Sequence, residues 1–567
     1  MCQACQDCTS NVISKLFACL PTAEANRFFC HMMLATLTDI LRTEQQMSNI
    51  LDFNAANPSG KYKLDLDNCS AHAVAERLRL LDRWERIVDG RRGRIDVSQR
   101  HNRSHFRNES FQGRSLWPRF PSVADWPLPE TSRLEVDYVT TQRPGPDAEC
   151  IDEELWAQLM ACLMESPCDP ENKLKVLRSI SHYVWLTCFH VRQLIGCFRN
   201  PDHRVDVIVM FFSRVIDMWN EKVFRVRLTP DEIRHVNERL GYATMFPYLQ
   251  PENCRLALDM SYPDQRLVCN FLVRLEEKEK PGNIQEYEMH YVNGEVDRFE
   301  MGIPRSWVEL DSLPIEGVFH CYYNCAPEDR RFEFRRKNAE TASFCTMSIV
   351  ENSVSWWASL NEAPVDVLYL LSWLVGKYTN MNKVFRALTG STDPNKTFNL
   401  RQLEDFLTQT GCTKFHGPDQ HSRIAAIFRY LDPGREGSVS KHEFKAMEKL
   451  WQEMDLCIRE FMFFVCHVFG DDMEELWAAL DEDSSGVLTL QEWLRACEHV
   501  GYYGPADIVF KFIDSDDDGA IQFQELGVLE AIMTNVGKKK SRASFGATPA
   551  SQDMTRPLSP PKESPRP

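Results

Sequence analysis

Asp481-Glu482-Asp483-Ser484-Ser485-Gly486-Val487-Leu488-Thr489-Leu490-Gln491-Glu492 decides how the C-terminal third of this chain reads. Oxygen donors recur through it at positions 1, 3, 5, 7, 9 and 12. They are the side chains of Asp481, Asp483 and Ser485, the carbonyl of Val487, Thr489 acting through water, and both carboxylate oxygens of Glu492. A hard divalent cation the size of calcium takes about seven oxygens at ~2.3–2.6 Å, which this spacing supplies. Gly486, at position 6, permits the sharp turn that folds such a loop round an ion.

Residues 514–525 repeat the pattern, with Asp514, Asp516, Asp518 and Glu525 at positions 1, 3, 5 and 12, Ala520 offering the carbonyl and Gln522 at position 9. Amphipathic flanks surround both loops. Met473, Leu476, Trp477 and Leu480 form an apolar helical face into the first, and Leu526, Leu529, Ile532 and Met533 leave the second. Leu488 and Ile521, each at position 8, are expected to meet in a short β-bridge. On these residues the segment resembles the EF-hand calcium-binding superfamily. That resemblance implies helix–loop–helix units that pair, bind Ca²⁺ and rotate their exiting helices.

Two weaker loops precede this pair. Residues 432–443 keep Asp432, Glu436, Ser438, Ser440 and Glu443 as donors and Gly437 as the turn glycine, but Gly434 offers no side-chain oxygen at position 3. Weak binding is expected there. Residues 391–402 have Lys396 for the turn glycine and Gln402 for the closing glutamate, so this loop reads as a structural partner. Phe444, Met447, Leu450, Trp451, Met454, Ile458 and Phe461 recur at helical spacing, which predicts a long helix joining two lobes.

The fold class expected is mainly α with a small β-rich unit, multi-domain, ending in four EF-hand-like helix–loop–helix units in two pairs. The expected divisions are a helical segment 1–89 (helices over 11–52 and 71–89), an irregular linker 90–150, a block 151–350, a degenerate pair 357–456, a calcium-binding pair 457–536 and a disordered tail 537–567. The linker carries Arg91, Arg92, Arg94, Arg100, Arg103 and Arg107, read as a solvated loop in preference to a phosphate- or membrane-docking patch. Within 151–350, helices occupy 151–240. Leu267–Val273, Val318–Asn324 and Phe332–Phe334 read as strands, and Tyr287, Met289 and Tyr291 alternate up to a hairpin turn at Asn293-Gly294. Leu174–Asn220, Gly302–Trp307 and Cys325–Arg330 make this block resemble an uncharacterised domain found beside EF-hands in unicellular eukaryotes, which implies a boundary and no chemistry.

Composition bounds the function. The chain has 567 residues and a formal net charge of −17, which suits cation binding and argues against nucleic acid as the main partner. No apolar run reaches the ~18 residues of a membrane span. Met1–Cys5 lacks the basic-then-apolar pattern of a secretory signal, so a cytoplasmic location with free thiols is expected among the 20 cysteines. Cys2, Cys5 and Cys8 lack a fourth ligand at a metal-site spacing and read as a thiol-bearing terminus open to acylation. No catalytic motif is present. The leading expectation is a non-enzymatic calcium sensor, exposing an apolar groove lined by Met473, Trp477, Trp493, Phe512 and Met533 to a partner helix or to residues 1–350. A calcium-regulated enzyme with its active site in 1–350, or a scaffold in which calcium is structural, are the alternatives.

Overall fold

The computed structural model describes residues 53–529, apart from 92–104, 117–126, 141, 146–147, 167, 243–252, 280–281, 325–359, 361–362, 394, 416, 433 and 471. The expectations for a helix over 11–52, a strand at Phe332–Phe334, the Cys2/Cys5/Cys8 run and the tail 537–567 lie outside these residues.

Near the N-terminal side, β1 (Gly60–Asp65), β2 (Phe106–Phe111), β3 (Arg114–Ser115) and β4 (Arg133–Tyr138) form an antiparallel sheet in the order β1-β4-β2-β3. Helix α1 (Cys69–Arg91) packs against it. Alternation builds the buried face: Tyr62 and Leu64 from β1, and Leu134, Val136 and Tyr138 from β4. Residues 90–150 are therefore not the irregular linker expected, since β2, β3 and β4 fall within them. Polar β2, Phe-Arg-Asn-Glu-Ser-Phe, hides its period behind an irregularity between Arg107 and Ser110, with Asn108 at φ 52°. Helix α1 matches the expectation over 71–89, with Leu78 in the core. Leu80, Trp84 and Ile87, which recur with Leu78 near helical spacing, are more than half exposed.

Residues 151–240 are helical as expected: α2 (Glu153–Glu165), α3 (Pro170–Ile180), α4 (Cys188–Ile195), α5 (Pro201–Phe211), α6 (Lys222–Arg225) and α7 (Pro230–Leu240). Pro170, Pro201 and Pro230 start three of them, where a missing N–H costs nothing. Helix α5 buries Val205, Val207, Ile208, Val209, Met210 and Phe211, being apolar round most of its circumference.

A second antiparallel sheet, ordered β5-β8-β6-β7, joins β5 (Asn253–Asp259), β6 (Ile284–His290), β7 (Val296–Asp297) and β8 (Val318–Asn324). The Asn293-Gly294 turn connects β6 to β7 as expected, with Gly294 at φ 86°. Leu267–Val273 is not a strand. It lies inside α8 (Pro263–Glu279), a 17-residue helix packed against β5 and β6. A short apolar run has no period that separates a buried strand from a helix. Here the buried set Val268, Cys269, Leu272 and Leu275 has helical spacing, and the sheet's apolar face needs such a cover.

The C-terminal part runs α9 (Val365–Lys377), α10 (Met381–Thr389), α11 (Leu400–Gln409), α12 (Gln420–Leu431), α13 (Lys441–Val468), α14 (Met473–Leu480), β9 (Val487–Thr489), α15 (Leu490–His499), α16 (Ala506–Ile513) and β10 (Ala520–Gln522). The long helix expected is the 28-residue α13. It does not separate two lobes: residues from Leu360 to Leu529 share one continuous apolar core. Helix α9 packs against both α13 and α16.

Helix α13 also meets the helical block. Arg192 of α4, with a side chain of zero exposure, bonds Glu453 through two 2.8 Å contacts and Glu460 through two more, at 2.8 and 3.3 Å. Arg227 holds the same Glu460. Removing one member of a buried ion network strands the others, at a cost of about 3–5 kcal/mol. Arg192→Met is therefore expected to lower the urea midpoint by that equivalent; an unchanged midpoint would show that the network does not hold the two parts together.

Candidate metal centre

Each of the four C-terminal loops closes in the same way. The side chain at position 12 turns back to the backbone N–H of position 9: Gln402 to Asn399 and Glu443 to Ser440 at 2.9 and 2.7 Å, Glu492 to Thr489 and Glu525 to Gln522 at 2.9 and 3.0 Å. This reciprocal cap starts the following helix. Loops 432–443, 481–492 and 514–525 also share left-handed backbone at positions 4 and 6: Arg435 and Gly437, Ser484 and Gly486, Asp517 and Gly519. Lys396 has no such φ, which is how a lysine stands where the other loops need glycine. Position-8 residues meet in antiparallel pairs, Phe398 with Val439 and Leu488 with Ile521.

The candidate ligands are held differently in the two acidic loops. In 481–492, buried Asp481 is satisfied by the chain itself: Oδ1 accepts from the Ser485 N–H at 3.0 Å and Oδ2 from the Gly486 N–H at 3.0 Å. Asp483 accepts from Ser485 as well, the Ser485 hydroxyl donates to the Val487 carbonyl, and Thr489 donates to Glu492. Asp432 in the weaker loop is held like Asp481, by the N–H groups of Glu436 and Gly437, while Ser440 donates to Glu443. No hydrogen bond pins the carboxylate of Glu436 or the hydroxyl of Ser438 among the described contacts.

Loop 514–525 differs in one atom. Asp514 is 1% exposed, and its Oδ2 accepts from the Gly519 N–H at 3.2 Å, but its buried Oδ1 has no hydrogen-bond partner. Ligand atoms of Asp514, Asp516 and Glu525 lie within 4.8 Å of one another. Asp518 is turned aside to the Ala520 N–H, and Gln522 caps the helical turn after it. A buried, unpaired carboxylate oxygen is costly, and costlier beside two more carboxylates. Burial pushes the Asp514 carboxyl up, with Glu525 adding to the rise and Lys414 opposing it. Glu525 Oε1 accepts from the Ser515 N–H and hydroxyl at 2.7 and 2.9 Å, but the donor set is all hard oxygen and keeps one carboxylate oxygen unpaired, which fits a hard divalent cation.

A family model described as EF hand matches residues 506–529. The match spans helix α16, the 514–525 loop and the turn after it, and supports calcium binding at the loop where the geometry leaves an oxygen free. No curated protein matches the chain. Among the described residues no helix is long and apolar enough to cross a membrane.

One part of the site has no sequence signal. Lys414, from the α11–α12 connection, is 1% exposed and donates to the carbonyls of Lys511, at 2.9 Å, and Asp514. Thr413 donates to the Ser515 carbonyl, and Arg423 bonds Asp517 at 3.1 Å. These contacts clamp the last loop from about a hundred residues upstream, a distance no local motif spans.

Asn at position 514 keeps an acceptor for Gly519 and turns an amide towards the neighbouring carboxylates. In EGTA, Asp514→Asn is expected to melt about 1–3 °C above wild type, since ~1 kcal/mol shifts Tm by that order in a chain of this size. A raised carboxyl pKa means that the folded state takes up its proton first as pH falls. The advantage of Asp514→Asn should therefore shrink from pH 7 towards pH 4, and an advantage that grows on acidification would contradict the assignment.

Proposed function

We propose that this protein is a non-enzymatic calcium sensor built from four EF-hand units in two pairs, with full sites at 481–492 and 514–525. The carrying observation is the buried Asp514 Oδ1, unpaired within a cluster of three carboxylates. The repeated cap, the shared left-handed positions and the position-8 pairings support extending the unit to all four loops. Loop 432–443, with no oxygen at position 3, binds more weakly; loop 391–402 serves as a structural partner.

Most of the residues read as groove lining are buried. Met473, Trp493 and Phe512 are each under 10% exposed, and Trp477 packs edge-on to Phe523; Met533 lies outside the described residues. Helices α9 and α13 occupy the apolar side of α16. This supports an intramolecular target: calcium at the last pair repositions α15 and the turn after β10, and the shared core carries the change to α13 and through Arg192 to the helical block.

Titrating the full chain with Ca²⁺ should shift tryptophan emission and raise binding of an apolar dye, with Kd on the order of 10⁻⁷–10⁻⁵ M. Asp481→Ala with Asp514→Ala should abolish both responses. A higher Tm with no spectral or dye response would instead assign calcium a purely structural role. Lys414→Met removes a cation beside the last loop, worth ~1 kcal/mol of repulsion at such range, so calcium should bind that loop about fivefold more tightly; unchanged affinity would show that Lys414 only fastens the backbone.

A further inference from the structure

The second sheet ends on one side in β5, and among the described residues no strand pairs with its outer edge. The ladder fixes which backbone groups face that way. The Met260 N–H donates to the Gly317 carbonyl, and the unbroken register from Asn253 to Asp259 alternates from there. Leu256 and Leu258 therefore turn their N–H and C=O groups to β8, while Arg255, Ala257 and Asp259 turn theirs outwards. Asp259 is engaged locally, its N–H by Gln265 Oε1 at 2.7 Å and its carbonyl by the Tyr262 N–H at 3.1 Å. The outward groups of Arg255 and Ala257 have no partner among the described residues.

Natural sheets guard such edges. The other three outer strands are guarded: β3 and β7 are two residues long, and β1 carries exposed Lys61 and Lys63. Strand β5 has seven residues, no proline and no bulge. Its side chains also leave the edge open. Ala257 is exposed, and Arg255 folds back across the sheet, over the Tyr322 ring of β8 at 4.9 Å and onto Glu286 of β6 at 2.5 Å.

A second copy of the same strand complements this edge. Antiparallel pairing about a two-fold axis at Ala257 lets the two Ala257 residues exchange two hydrogen bonds, with nothing beyond Cβ at the axis. It sets Arg255 of each copy directly opposite Asp259 of the other, so an opposite-charge pair forms twice on the open face. The Arg255 N–H then meets the Asp259 carbonyl, which has a second lone pair to accept it. An axis at Arg255 would oppose two arginines, and an axis at Leu256 would set Arg255 against Ala257 and forgo the charge pair.

We propose that the chain self-associates as a two-fold dimer through β5, joining two four-stranded sheets into one. The interface does not rest on the calcium reading.

Sedimentation equilibrium of the full chain in EGTA is the test. Wild type should show a concentration-dependent monomer–dimer equilibrium. Ala257→Pro should be monomeric yet melt as wild type, since the N–H it removes faces away from β8. Arg255→Glu and Asp259→Lys each set like charges opposite one another in their own dimers and should self-associate about tenfold more weakly. Mixed in equal amounts, the two variants should pair as tightly as wild type, because every cross-strand pair is then again of opposite charge; this mixture carries the test by itself if Ala257→Pro melts low. A wild type monomeric at every concentration, an undiminished dimer in a normally melting Ala257→Pro, or a mixture that pairs no better than either variant alone would overturn the proposal.

Discussion

A carboxylate oxygen buried without a donor sets the terms for the C-terminal half of this protein. Asp514 Oδ1 sits beside the carboxylates of Asp516 and Glu525, and the chain supplies no proton to it. The other loops show what a settled arrangement looks like: Asp432 and Asp481 each place both oxygens on backbone N–H groups. In the last loop Gly519 answers one oxygen only, and Lys414 spends its hydrogen bonds on carbonyls rather than on the carboxylate. Three carboxylates share one point with Lys414 as the nearby cation, and one of their oxygens is left without a hydrogen bond.

That loop is not an appendage. Its entering helix α16 packs on α9 and α13, and its Ile521 pairs with Leu488 across β9 and β10. Thr413, Lys414 and Arg423 fasten it to the connection between α11 and α12. A core running without a break from Leu360 to Leu529 is low in voids and transmits displacement rather than absorbing it. Helix α13 then carries Glu453 and Glu460 into contact with Arg192 and Arg227 of the helical block, where ionic contacts stand beside the apolar packing of Met164 and Phe463. The route from the loop to the rest of the chain is short and made of rigid parts.

How much the sequence revealed depended on whether a signal was local. The acidic loops, the position-8 pairings, α13 and the Asn293-Gly294 turn were legible because each is written in neighbouring residues. The clamp of Lys414 on Asp514 and the bond of Arg192 to Glu453 join residues 100 and 261 apart, and nothing at either end announces the other. Leu267–Val273 was misread because an apolar run short enough to be a strand is also two turns of a buried helix; the sheet it covers decides between them. In β2 an irregularity breaks the alternation that a strand reading needs, whereas β1 and β4 do alternate: β1 fell in the expected helical segment 1–89, between its two helices, and β4 in the stretch read as an irregular linker. Leu80, Trp84 and Ile87 show the converse: helical periodicity fixed the helix but not which of its faces is covered.

The most direct measurement is isothermal calorimetry of Ca²⁺ into the purified full chain, with and without Asp514→Ala. Heat of association for two sites of micromolar or tighter Kd, reduced by one site in Asp514→Ala, is the expected result. No heat at millimolar calcium, or an isotherm indifferent to Asp514→Ala, would contradict the assignment of residues 514–525 as a calcium site.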